Sequence, residues 1–107
     1  MISNKDVRGV CKALDRVYEG TGFVVFPLGR FTPLEGGEYN RVRIRHSDPD
    51  RLHWKEIVSL ELTPSDTVAT LMARCREAIE ATRTRWKWER FKAEQRLLRA
   101  GRTQGEA

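Results

Sequence analysis

The chain has 107 residues, 39% of them apolar and 33% charged, with a formal charge of +5; this suits one domain around one core and is not the composition of a disordered chain. The longest aliphatic or aromatic run, Phe23-Val24-Val25-Phe26, falls far short of the roughly 20 residues of a spanning helix, which excludes a membrane span. The opening Met-Ile-Ser-Asn-Lys-Asp-Val-Arg has no apolar stretch of the signal-peptide kind, and the two cysteines, Cys11 and Cys75, are too few for a disulfide scaffold, so the expected setting is a reducing cytoplasm.

In chain order, Ser3 and Asp6 have capping-box spacing, and Val7, Val10, Cys11, Leu14, Val17 and Tyr18 then recur on one face of an amphipathic helix. Gly20 and Gly22 supply its stop. Phe23 to Phe26 follows as a β-forming run that Pro27 limits, and residues 27 to 38, with two prolines and a Gly-Gly pair, predict a connection with little regular structure. Tyr39 to His46 alternates, Val42 and Ile44 to one side and Arg41, Arg43 and Arg45 to the other. Ser47-Asp48-Pro49-Asp50 has turn chemistry, and Ile57 to Leu62 alternates again.

Thr63-Pro64-Ser65-Asp66 predicts a helix start, with threonine as cap and proline preorganised for the first turn. No glycine or proline follows Pro64 until Gly101. At 100° per residue, Val68, Met72, Cys75, Ile79, Thr82, Trp86, Ala93 and Leu97 fall within about 40° of one line, so the spacing predicts one helix from 64 to about 100. Such a helix is about 55 Å long, whereas a compact chain of this size is about 34 Å across. The expected fold class is therefore α+β in the order α-β-β-β-α: a small antiparallel three-stranded sheet packed by two helices, with the last helix projecting.

The charge is unevenly placed. Residues 1–82 carry twelve basic and twelve acidic side chains and form the expected compact body, whereas residues 83–107 carry eight basic against three acidic. The positive field thus belongs to the continuation of the last helix, where Arg85-Trp86-Lys87-Trp88-Glu89-Arg90-Phe91-Lys92 interleaves aromatics with cations. Trp88, Phe91 and Leu98 lie about 120° to 200° away from the core line, so a second apolar face opens late in the helix. Large apolar side chains rimmed by arginine are the anchors of interfaces. The candidate partner-binding residues are Arg85, Trp86, Lys87, Trp88, Arg90, Phe91, Lys92 and Leu98. The opposing reading bends the helix back near Thr82 to Thr84 and packs Trp88 on the chain's own sheet.

Arg41, Arg43 and Arg45 form a cationic row that β-sheet readers of nucleic acid use, and with Arg96 and Arg99 they are the candidate nucleic-acid residues. Cross-strand pairing with Glu61 or Glu56 is the plainer account of the row. The element order is similar to that of double-stranded RNA-binding domains, but Pro64 to Ala73 contains no basic residue where that family grips phosphate.

His46, Asp48, Asp50 and His53 are ligand types crowded near one loop, but their spacing fits neither a calcium loop nor a zinc pattern, so no metal is expected. Pro49-Asp50 with Glu61-Leu62-Thr63 falls short of a nuclease carboxylate pattern, because threonine stands where lysine is needed. Cys11 and Cys75 lie on apolar helix stripes without an activating base. No active site assembles and no cofactor is implied. The reading is a small non-enzymatic protein-interaction module, suited to an accessory subunit, inhibitor or self-associating protein of a phage or mobile element; DNA or RNA binding by the same helix is the alternative.

Overall fold

The computed structural model describes residues 2–32, 36–47 and 54–105. Within them lie helix α1 (Asn4–Val17), strands β1 (Phe23–Thr32), β2 (Gly36–Ser47) and β3 (Trp54–Glu61), and helix α2 (Val68–Gly105). The strands form one antiparallel sheet in the order β1-β2-β3. This is the expected α+β fold.

α1 begins where the sequence places it. The Ser3 hydroxyl accepts the Asp6 backbone N–H at 3.2 Å and relieves one of the unpaired donors of the first turn. Val7, Val10, Cys11 and Leu14 are buried. Val17 is exposed, and Tyr18 takes its place in the core as the chain turns away through Gly20 and Gly22, both at positive φ. Two side chains of α1 tie it to the sheet. Asn4 donates to the Gly37 carbonyl at 2.9 Å and accepts from the Tyr39 N–H at 3.0 Å, and Asp15 accepts from the Val25 N–H at 2.9 Å.

β1 and β2 are longer than the sequence suggests. Residues 27–32 and 36–38 are strand rather than irregular connection, and Pro27 sits in register opposite Val42. The reason is that β1 is an edge strand. N–H groups two residues apart point the same way, so the outward row of Phe23 and Val25 would continue at Pro27, which has no N–H. The Thr21 hydroxyl accepts the first donor, Asp15 accepts the second and proline removes the third, so this half of the edge offers no free N–H to another strand.

α2 starts four residues later than the proline suggests. Pro64 and Ser65 form a turn in which the Asp66 carboxylate accepts the Thr63 N–H at 2.8 Å and the Arg74 guanidinium at 2.7 Å. The cap is Thr67: its hydroxyl accepts the Thr70 N–H at 3.2 Å while the Thr70 hydroxyl accepts the Thr67 N–H at 2.7 Å, a reciprocal box with threonine at the third helical position.

Leu71, Cys75 and Ile79 of α2 join Val7, Val10, Cys11 and Leu14 of α1 and Val25, Val42 and Ile44 of the sheet in one core. Both helices therefore cover one face of the sheet. Thr82, on the same stripe, is buried because its hydroxyl is satisfied by the Ala78 carbonyl at 2.9 Å. Among the described residues no helix is long and apolar enough to cross a membrane.

The 38 residues of α2 rise about 57 Å. The molecule measures 73 × 28 × 20 Å, and its radius of gyration of 19.1 Å compares with about 13 Å for a compact chain of this length. The helix projects; it does not fold back.

Candidate functional site

The body ends at an aromatic cluster. Trp86 stacks on Phe23 with centroids 5.6 Å apart, meets the His46 ring edge-on at 4.7 Å, and Phe23 in turn touches Tyr18 and His46. The Tyr18 hydroxyl donates to Glu80 at 3.0 Å, so the end of α1 is fastened to α2 at this point. Burial, and then the Glu80 carboxylate, hold the Tyr18 phenol above its ordinary pKa. Trp86 is thus a residue of the body. It lies on the core line of the helix, one turn past Thr82, where it is partly buried against Phe23 and also lines a cleft with Arg90 and Phe91.

One residue further the surroundings change. From Lys87 to Gly101 every α2 side chain is exposed. Trp88 is 59% exposed and Phe91 48%, and the two rings meet edge to face at 5.8 Å. Leu97 and Leu98 are exposed at 73% and 62%. Arg85, Lys87, Arg90, Lys92, Arg96 and Arg99 surround them, all exposed. A cleft where the helix leaves the body is lined by Phe23, His46, Arg83, Trp86, Arg90 and Phe91, so Phe91 belongs both to the cleft and to the outer apolar row.

The sheet face away from the helices is the second surface. Among the described residues no element covers it. Arg41, Arg43 and Arg45 occupy it as expected, and the register sets Leu28, Phe26 and Val24 of β1 beside them. Arg41 pairs with Glu61 at 3.0 Å, a surface ion pair worth about 1 kcal/mol or less. The Arg45 guanidinium lies 5.5 Å from the Phe26 ring centroid. The apolar row escapes a reading that ends β1 at Pro27; alternation carried through the proline is the signal that finds it.

Among the described residues no group of His, Cys, Asp and Glu is placed to hold a metal ion. Asp48, Asp50 and His53 lie outside the described residues, and His46 belongs to the aromatic cluster, where its Nε2 is 3.1 Å from the Thr21 carbonyl oxygen. Cys11 and Cys75 are free thiols in the core, pushed up to about 12 and about 11 by burial. Comparison with protein-family models, with curated proteins and with solved structures found no match.

Proposed function

We propose that this chain is a non-enzymatic protein-interaction module whose contact element is α2 beyond Trp86, carried by a body that folds around its own core. The observation that supports this reading is the exposure of Trp88 and Phe91, side by side, on the stretch of α2 whose side chains are all exposed. A partner that covers each half-exposed ring gains about 1 to 2 kcal/mol per ring, and arginine alongside tryptophan supplies the desolvated, directional contacts of an interface hot spot. Such a module acts as an accessory subunit or inhibitor of a larger assembly.

The test is parallel capture on three immobilised full-length baits: the native chain, Trp88→Ala combined with Phe91→Ala, and Arg96→Ala combined with Arg99→Ala. A protein retained by the first and third and lost by the second is the expected result. Equal retention by all three contradicts it.

The second reading, a DNA- or RNA-binding accessory protein, draws on the sheet face that no described element covers, where Arg45 lies over Phe26 and Arg41 and Arg43 extend the cationic row. It requires an affinity that falls with salt by about 0.9 log units per log unit for each duplex phosphate engaged, and that flattens as these arginines are removed.

A further inference from the structure

Trp88, Phe91, Gln95 and Leu98 follow one another at steps of three, four and three residues. That is the spacing of the seam of a two-helix coiled coil, in which alternate steps keep one narrow stripe facing the neighbour. Gln95 is the polar member of the row, and the stripe is exposed along its whole length. An apolar row of this period is filled by the side chains of another helix. A nucleic-acid duplex answers the surrounding charge but offers no helix-spaced apolar surface to cover Phe91 and Leu98.

The charges beside the stripe decide which helix. Lys87 and Glu94 flank it on one side, Arg85, Lys92 and Arg99 on the other. In a coiled coil these flanking positions of one helix face those of its neighbour and set partner choice. Two antiparallel copies would bring the wholly basic flank of Arg85, Lys92 and Arg99 against itself. Two parallel copies would set Lys87 against Lys92 and gain only the Glu94 to Arg99 contact. In either arrangement the stretch 83–102, with eight basic and two acidic residues, meets an equal net charge across the 8 to 10 Å that separate packed helix axes, about a Debye length at physiological salt. Like charges so placed exclude a partner as effectively as complementary ones select it.

We infer that the occupant of the Trp88–Phe91–Leu98 stripe is an amphipathic helix of another protein, apolar along its seam and acidic on both flanks, and not a second copy of this chain. This rests on the reading of α2 as a contact element and names the chemistry of its partner.

The experiment uses the full chain at physiological salt and labelled synthetic helices of four heptads, followed by fluorescence anisotropy. One peptide carries leucine along the seam and glutamate on the flanks. A second has lysine in place of glutamate, and a third keeps the acidic composition but scrambles the seam. A 20-base-pair DNA duplex and light scattering of the chain alone complete the set. The expected result is binding of the acidic seamed peptide at least about tenfold tighter than the scrambled one, no binding of the lysine peptide, a monomeric mass for the chain alone, and about a tenfold or greater loss in Trp88→Ala/Phe91→Ala. Circular dichroism verifies that this variant folds.

Equal binding of the seamed and scrambled peptides overturns the inference, because charge alone then accounts for it. Tighter binding of the duplex than of the acidic peptide overturns it in favour of nucleic acid. A dimer of the native chain that the double variant loses overturns the choice of partner while leaving α2 as the contact element. Failure of every probe against a monomer overturns the inference alone, since the capture experiment judges the broader reading independently.

Discussion

Phe23 and Trp86 lie nearly parallel, 17° apart in plane with centroids 5.6 Å apart, and this stack holds α2 against the start of β1. Two tryptophans two positions apart therefore have different surroundings: Trp86 packs on the core and Trp88 faces solvent. Trp86→Ala is expected to destabilise the chain by about 2 to 4 kcal/mol, whereas Trp88→Ala and Phe91→Ala each cost less than about 1 kcal/mol. Urea unfolding followed by circular dichroism checks this; similar losses for Trp86→Ala and Trp88→Ala would mean that the outer helix packs against the body.

The turn between α1 and β1 depends on Gly22. Its φ is +87°, and a Cβ there would collide with the Ser47 carbonyl oxygen, whose own N–H bonds the Gly22 carbonyl at 2.9 Å. Gly22→Ala meets both a backbone penalty and a backbone clash, so a loss above about 2 kcal/mol is expected. Gly20 shares the positive φ but has open space around its Cβ position, and Gly20→Ala loses only about 1 kcal/mol. Equal effects of the two substitutions in thermal unfolding would leave the close approach to Ser47 without consequence.

Asp66 gives the stability a pH dependence. Burial by itself pushes its carboxyl up, but hydrogen bonds from Thr63 and Thr70 and the charge of Arg74 outweigh that, and the group lies below the ordinary aspartate value of 3.8. A carboxylate depressed by folding adds stability above its unfolded pKa, and that contribution is lost as pH falls through the lower folded value. Asp66→Asn is expected to cost about 1 to 3 kcal/mol at pH 7, and the gap from the native chain narrows as pH falls below about 4. A gap that stays constant from pH 7 to pH 3 contradicts the assignment.

The two thiols report on opening of the core. With Cys11 and Cys75 raised to about 12 and about 11, mainly by burial, the thiolate fraction at pH 8 is at most about one in a thousand. Reaction with a chromogenic disulfide is expected to follow unfolding, slow in the native state and immediate in denaturant. Labelling of both cysteines within seconds in native buffer would contradict a closed core between α1 and α2.

Much of this architecture is legible in the residues because apolar spacing survives tertiary packing: Val7 to Leu14, Val42 with Ile44, and Cys75 with Ile79 all occupy the faces that their periods imply. What escapes depends on neighbours far away in sequence. Pro27 reads as a strand end until β1 is known to be an edge, and only then do Phe26 and Leu28 fall beside the arginine row. Pro64 reads as the first turn of a helix until Asp66 is seen drawing Thr63 and Arg74 into a separate turn, which hands the cap to Thr67. The outer apolar row was legible as a late second face, but its exposure depends on α2 continuing straight past Trp86.

The central claim is that the Trp88–Phe91–Leu98 face of α2 is uncovered in the free chain, and residue-resolved hydrogen exchange at micromolar concentration tests it most directly. Amides from Trp88 to Arg99, in the stretch of α2 whose side chains are all exposed, are expected to exchange about a thousandfold faster than those from Leu71 to Thr82, which open only with the core, and the difference is expected to be independent of concentration. Protection of Trp88 to Arg99 equal to that of Leu71 to Thr82 would contradict the account, because the outer helix would then already be covered by this chain or by another copy of it.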